Sequence, residues 1–269
     1  MKKAYLGLIL FLMYVPIVLV IIYSFNSSRL SSVWSGFTLA WYGELFRDRT
    51  MFDALRNSLV LAAFSSLLAS VIGTMGAVGM AWGKSVYKAG SASGKFGRMM
   101  EYLSILPIMT PEIILGMVLL AFFSLLALPL GMLTLVIAHT CFCIPYVYLL
   151  VRARLSGLDK SYIDAARNLG AGTWQAFRDI LLPLVMPAVI SGILLSFAMS
   201  FDDVIISIFV TGPHTNTLPI RIYTQIKTGV TPKTNALCSL LFIITVVLCI
   251  LSAAVSRMKL PNKTPGIRA

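Results

Sequence analysis

Charge is scarce in this chain. Only 12% of its 269 residues are Asp, Glu, Lys or Arg, roughly half the share carried by a soluble domain. Acidic residues are the scarcest, 10 against 22 basic ones. That poverty argues against a separate soluble domain. Cysteine is thin as well. Cys141, Cys143, Cys238 and Cys249 lie within or at the edge of apolar runs. The C-x-C spacing of the first two is neither a metal nor a redox pattern, so all four read as small buried hydrophobes. Only two histidines occur, His139 and His214, and neither has a second ligand four residues away. No His-Glu-x-x-His is present, so intramembrane metalloprotease chemistry has no support. No cofactor is expected.

A nucleotide site is missing too. Gly79-Met-Ala-Trp-Gly83-Lys84-Ser85 looks like a phosphate-binding loop, but three residues separate its glycines where four are needed. Such a loop also follows a strand, whereas this one follows an apolar run. Gly73, Gly76, Gly79 and Gly83 read better as a small-residue ridge for close helix packing.

What is present is length in the apolar runs, each near the ~20 residues that cross a bilayer. They predict an all-α, polytopic membrane protein with six transmembrane helices. The spans run about Ala4–Phe25, Leu59–Trp82, Tyr102–Leu128, Met132–Val151, Leu184–Val210 and Ala236–Val255. The first follows Met1-Lys2-Lys3, has no small-residue cleavage site, and is expected to stay as a span. Residues 1–269 are expected to form one transmembrane domain. With the N-terminus inside, the inner segments hold 15 of the 22 basic residues and the outer ones 7. This bias places both termini in the cytoplasm, and the flanking cations need no nucleic acid to explain them. In the first outer loop, Trp34, Trp41 and Tyr42 suit an interfacial belt or a docking surface.

The last large inner loop, about residues 152–183, is polar, alanine-rich and glycine-hinged. Ser161 to Asp164 fits a capping-box pattern, and a short helix should follow to Leu169. Tyr162, Ala166 and Leu169 share one face. Ala165 and Ala166 keep that helix thin. Gly170 can stop it in the left-handed conformation, and Thr173 can cap a second helix. There Trp174, Phe177 and Leu181 share a face, before Pro183 and Pro187 disturb the backbone. Periodicity alone leaves two readings open: a docking knuckle, or an amphipathic loop on lipid headgroups.

This segment resembles the signature of the inner-membrane subunits of binding-protein-dependent ABC importers. That pattern is Glu-Ala-Ala, three residues, Gly, nine residues, Ile, any residue, Leu-Pro. Here Asp164-Ala165-Ala166, Gly170, Ile180, Leu182 and Pro183 keep every spacing, with Asp for Glu as the one departure. The resemblance implies the type I importer transmembrane fold. It implies a coupling loop that docks on a cytoplasmic ATPase, so ATP hydrolysis belongs to two partner subunits and the chain itself is no enzyme. It also implies a heterodimer with a homologous permease, an external solute-binding protein and an inner-membrane location. Tyr14 to Asn26 looks like the first span of the polyamine and ferric-iron branch of that family, and Pro111-Glu112-Ile-Ile-Leu-Gly116, Ser200-Phe201-Asp202-Asp203 and Phe209-Val-Thr-Gly212-Pro213 with Leu218-Pro219 look more narrowly like its polyamine (spermidine/putrescine) subgroup.

Three charged residues fall inside the apolar spans: Glu112, Asp202 and Asp203. An ionisable group in hydrocarbon costs at least ~2.5 kcal/mol, so each is a functional candidate. All are acidic, which suits a polyamine and not an anion. Tyr146, Tyr148 and Phe201 are available for cation–π contact. Gly192, Ser196, Ser200, Asp203 and Ser207 form a stripe in helical register. From it, Asp203 should face the path or the partner permease, and Asp202 should serve packing. The bland reading for all three is a buried interhelical hydrogen bond. Rival readings are a self-sufficient secondary transporter or channel, the same machine with ferric iron or thiamine as cargo, and an intramembrane enzyme.

Overall fold

The computed structural model describes residues 2–28, 33–86, 92–159, 161–213, 215–229 and 231–258. His214, Lys88, Lys160 and the basic residues beyond Met258 lie outside them, as does the Cys249 side chain. The described residues are almost wholly helical, with one isolated antiparallel bridge, Asn26 to Phe37. In chain order the helices are α1 (Lys2–Tyr23), α2 (Ala40–Arg47), α3 (Arg49–Val86), α4 (Ala92–Met109), α5 (Glu112–Leu125) and α6 (Met132–Ser156). They continue with α7 (Ser161–Asn168), α8 (Thr173–Gln175), a π turn (Ala176–Leu181), α9 (Leu182–Asp202), α10 (Ile205–Val210), α11 (Leu218–Thr228) and α12 (Pro232–Met258). The chain divides into two compact units, one of residues 1–51 with 224–269 and one of residues 52–223.

In the first unit α12 packs against α1 and α2. The apolar side chains of α1 are largely uncovered, as its Leu6, Phe11, Leu12 and Met13 show. That suits a helix whose solvent is lipid. The segment after α1 is tied down locally. Asn26 is fully buried; its Nδ2 donates to the Val33 carbonyl at 2.7 Å. Trp41 Nε1 donates to the Asn26 carbonyl at 2.7 Å, and Phe25 stacks on Phe37 with centroids 5.2 Å apart. Trp41 and Tyr42 thus belong to a folded knot, while Trp34 stays 48% exposed. The Asp48 carboxylate accepts from Lys233 Nζ at 2.6 Å. Burial alone would raise this carboxyl, but hydrogen bonds from Lys233, Thr50 and the Met51 N–H outweigh it and bring it down to about 2.

The second unit is built around α6. Leu135, Ala138, Phe142, Cys143, Val147 and Val151 of this helix are all buried. Lipid is as apolar as these side chains, so close packing must supply what the hydrophobic effect does for soluble cores. Small residues allow it. A Cβ on Gly73 of α3 would lie 3.0 Å from the Ile144 carbonyl, and one on Gly192 of α9 would lie 3.2 Å from Val147 Cγ1. Val147 therefore sits between two helices that approach it through glycine. The expected glycine ridge is in contact at Gly73, and Gly76 faces Tyr148 at 3.8 Å.

Two expected spans differ. Tyr102–Leu128 is not one helix, since α4 and α5 meet at an angle of 112°. Pro111 has no N–H to give the preceding turn and disfavours helix at Thr110. Leu184–Val210 begins earlier and ends earlier: the helical run is Thr173–Asp202, and Asp203 is extended at φ −68°, ψ 129°. Four described helices are long and apolar enough to cross a membrane, five if the bent pair is one span. The described apolar part of α12 is shorter, Pro232–Val247.

Candidate functional site

The inner helix–turn–helix forms, with its caps displaced. The Ser161 N–H donates to Asp159 Oδ1 at 3.0 Å, so Asp159 does the capping and Ser161 is already helical. The expected Ser161/Asp164 box is corrected by one turn position. The hydrogen bonds from the Ser161 backbone and hydroxyl hold the exposed Asp159 carboxyl below its usual range. Gly170 stops α7 at φ +83°, where the Ala171 N–H reaches back to the Ala166 carbonyl at 3.0 Å. This is the long bond of a Schellman turn. Gly172 rather than Thr173 caps the next helix, and its N–H donates to Gln175 Oε1 at 3.2 Å.

The second helix does not halt at the prolines. A π turn over Ala176–Leu181 joins α8 to α9. Its last bond runs from the Leu182 N–H to the Phe177 carbonyl. Pro183 follows with no N–H to extend that pattern, and α9 resumes. The wider turn also separates the expected face. Trp174 and Phe177 stay together, with centroids 5.4 Å apart, while Leu181 enters the core. Of the face on α7, Ala166 is 3% exposed, whereas Tyr162 and Leu169 point outward at 53% and 88%. Asp164, Ala165 and Pro183 are exposed, and Ile180 and Leu182 are half-buried.

Asp164 and Ile180 are brought together at a cavity of about 390 Å³, also lined by Glu101, Tyr148, Arg152 and Tyr162. Arg152 pairs with Glu101, and its guanidinium lies 5.8 Å from the centre of the Tyr148 ring. Tyr148 thus already holds an internal cation and is 1% exposed. This corrects the expectation that it was free for a substrate.

The three acidic residues part company. Glu112 is the first residue of α5, exposed, where the helix dipole favours its charge. It lies within electrostatic reach of the Tyr146 phenol on α6. Asp202 is exposed at the end of α9. Asp203 is 8% exposed and does not sit in helical register with Ser200. Its carboxylate accepts from the Ile206 N–H at 3.3 Å, and from the Ser207 N–H and hydroxyl at 2.9 Å each. The stripe argument put Asp203 in helical register with Ser200, facing the path or the partner permease; that register is corrected, since α9 ends at Asp202, and Asp203 is buried while Asp202 is exposed. Phe201 stacks on Phe197 at 6.2 Å.

Sequence reasoning missed the group that surrounds Asp203. His139 of α6 is fully buried. Its Nδ1 lies 2.8 Å from Ser200 Oγ of α9, and its Nε2 lies 3.0 Å from Ser207 Oγ of α10. Nε2 is also 3.5 Å from Asp203 Oδ2. Ser200 Oγ in turn lies 2.9 Å from Ser65 Oγ of α3. Four helices are joined by these five side chains. The available signal was the rule that any ionisable group inside a span is a candidate; His139 was judged only as a metal ligand.

Long apolar helices joined by a short polar helix–turn–helix suit a multi-span membrane protein. The chain belongs to the family described as the binding-protein-dependent transport system inner membrane component, whose sequence profile matches residues 79–259. It is an inner-membrane, multi-span transport component. It is 38% identical over 256 residues to the spermidine/putrescine transport system permease protein PotC of Escherichia coli strain K12, covering 95% of this chain and 94% of that one. It is 40% identical over 235 residues to the putrescine transport system permease protein PotI of the same strain, covering 85% and 81%. Its fold is similar to that of a bacterial ABC transporter involved in the import of the acidic polysaccharide alginate. The TM-score is 0.69 at 14% identity, over 96% of this chain and 95% of that one.

Proposed function

We propose that this chain is a permease subunit of an ATP-driven importer of polyamines such as spermidine and putrescine. In this reading the whole chain works as one transmembrane domain beside a homologous permease. Two ATPase subunits dock from the cytoplasm, an external binding protein delivers substrate, and both termini are cytoplasmic. The observation that carries the ATPase docking is the knuckle itself. Leu169 and Trp174 are large, apolar and 88% and 68% exposed, on a short rigid turn whose Ala166 is fixed against the bundle. Large apolar and aromatic side chains of this kind supply the anchors of many protein interfaces when a partner's pocket takes them up. Asp164, Ala165, Ala166, Gly170, Ile180, Leu182 and Pro183 form or support that knuckle.

The cargo reading rests on the likeness to PotC and PotI and on the carboxylates. Glu112 and Asp202 are exposed on the lone chain and face the path. Glu112 is near Tyr146, and the Asp202–Asp203 break is opposite His139, so the two levels lie roughly 10 Å apart along α6 at 1.5 Å per residue. That offset is of the order of the length of an extended spermidine; putrescine is shorter. Asp203 acts from behind, by holding the break.

The test is uptake of radiolabelled spermidine and putrescine into proteoliposomes that hold the chain with its partner permease, ATPase and binding protein. ATP-dependent uptake, competed by polyamines, is expected. Uptake by this chain alone without ATP would make it a secondary transporter. Competition by ferric iron or thiamine in place of polyamines would reassign the cargo.

A further inference from the structure

The break after Asp202 is capped locally: the Asp203 carboxylate accepts from the Ile206 and Ser207 N–H groups at the start of α10. Asp203-Val204 contains neither proline nor glycine, and apolar residues continue on both sides. Sequence periodicity alone expects an unbroken helix there. That cap is backed by contacts from another helix, through Ser207 and the Asp203 carboxylate to His139.

With Asp203 ionised, the hydroxyl directions set the protons on that histidine. Ser207 has one hydroxyl proton, and it goes to Asp203 Oδ2 at 2.9 Å. Ser207 Oγ is then an acceptor towards His139, so Nε2 carries a proton. At the other end, Ser65 makes its shortest contact, 2.7 Å, with the Leu61 carbonyl, which can only accept. Ser65 Oγ therefore accepts from Ser200. Ser200 has then used its proton and accepts from His139 Nδ1. Both ring nitrogens are donors, and this is the imidazolium.

We propose that His139 is a positioning residue for transport: it is held as a buried cation paired with Asp203, and this pair keeps α9 and α10 apart so that Asp202 is presented to the substrate path. Burial among apolar helices opposes an isolated imidazolium. Asp203 at 3.5 Å works against that cost, and among the described residues no other charged group acts on His139. Of its other neighbours, α6 offers the Cys143 thiol, and α3, α9 and α10 offer the hydroxyls of Ser65, Ser200 and Ser207. Removing one member of a buried pair is far worse than removing both. The role in transport rests on Asp202 being a path residue; the ion pair does not.

The sequence has two histidines, so His214→Gln leaves a single site for imidazole labelling. Nitrogen-15 solid-state spectra of the full chain in the assembled importer, at neutral pH, should show both ring nitrogens of His139 protonated. One protonated and one bare nitrogen would overturn the proposal. In the same complex, His139→Gln and Asp203→Asn should each raise the KM for spermidine uptake about tenfold or more. The double variant, neutral at both positions, should recover most of that loss. Uptake by the unsubstituted complex should fall at alkaline pH with the loss of one proton, and the double variant should be flat there. A double variant no better than the worse single one, with an unchanged pH profile, would also overturn it. If Asp202→Asn leaves KM unchanged while the spectrum shows the imidazolium, the path reading fails and the ion pair stands.

Discussion

Gly212 meets the carbonyl of Leu130 where no side chain could. A Cβ on Gly212 would sit 2.2 Å from the Leu130 oxygen and 3.1 Å from Gly131 Cα. The segment after α10 is thereby pressed onto the turn between α5 and α6. Both partners are backbone, so neither can swing away. Gly212→Ala should lower the melting temperature of the solubilised chain, with a loss of ~1–3 kcal/mol typical of overpacking. An unchanged melting curve would mean that this contact is looser than the structure has it.

Gly170 presents the opposite case, since nothing lies within 4 Å of the position a Cβ would take. Its constraint is the backbone alone, at φ +83°. Gly170→Ala should cost ~1–2 kcal/mol of local conformational energy and loosen α7 against the π turn. Asn tolerates this region better, so Gly170→Asn should keep more function. The measurement is the ratio of substrate moved to ATP hydrolysed in proteoliposomes. Ala should lower that ratio more than Asn, and equal ratios in all three proteins would count against the docking role.

For the path, Glu112→Gln and Asp202→Asn keep shape and remove charge. Losing a charged partner for an ammonium group is worth ~1.5–3 kcal/mol, so each should raise the KM for spermidine roughly tenfold or more, with complex assembly intact. Putrescine, with fewer ammonium groups, should be affected by one of the two more than the other. Normal kinetics in both variants would remove these residues from the path.

Asp48 and Lys233 give a pH test outside the membrane. The folded carboxyl lies at about 2, below its ordinary 3.8. A depressed carboxyl adds stability that is fully present above the ordinary value and is lost as pH falls through the folded one. The window is therefore about 4 down to 2. For a pair this near the surface the gain is at most ~1 kcal/mol. Asp48→Asn should melt slightly earlier than the unsubstituted protein at pH 7 and at pH 5, and that gap should narrow at pH 3. A gap that stays constant across this range would show that the pair adds nothing.

The all-helical membrane class, the stop at Gly170 and the proline at the third span could all be read from residue order, because each follows from local chemistry. Pro111 even marked the place of the 112° bend, though its size comes from how α5 packs against α10. The break at Asp203 could not be read. Asp203 caps α10 there, and the carboxylate is backed by His139, 64 positions earlier; no local pattern connects a serine ladder on α9 to an imidazole on α6. The caps of the inner knuckle slipped for a smaller reason: Asp159 and Gly172 each sat just outside the pattern that was sought. The exposure of Asp202 and burial of Asp203 followed from the break, so the register argument failed with it.

The π turn has a further mechanical meaning. By bridging α8 and α9 it makes Thr173–Asp202 one unbroken helical run, about 45 Å long at 1.5 Å per residue. If a partner docks on the knuckle as proposed, its displacement would be passed along one unbroken helix to the end at Asp202, beside the Asp203 cap and the His139 group.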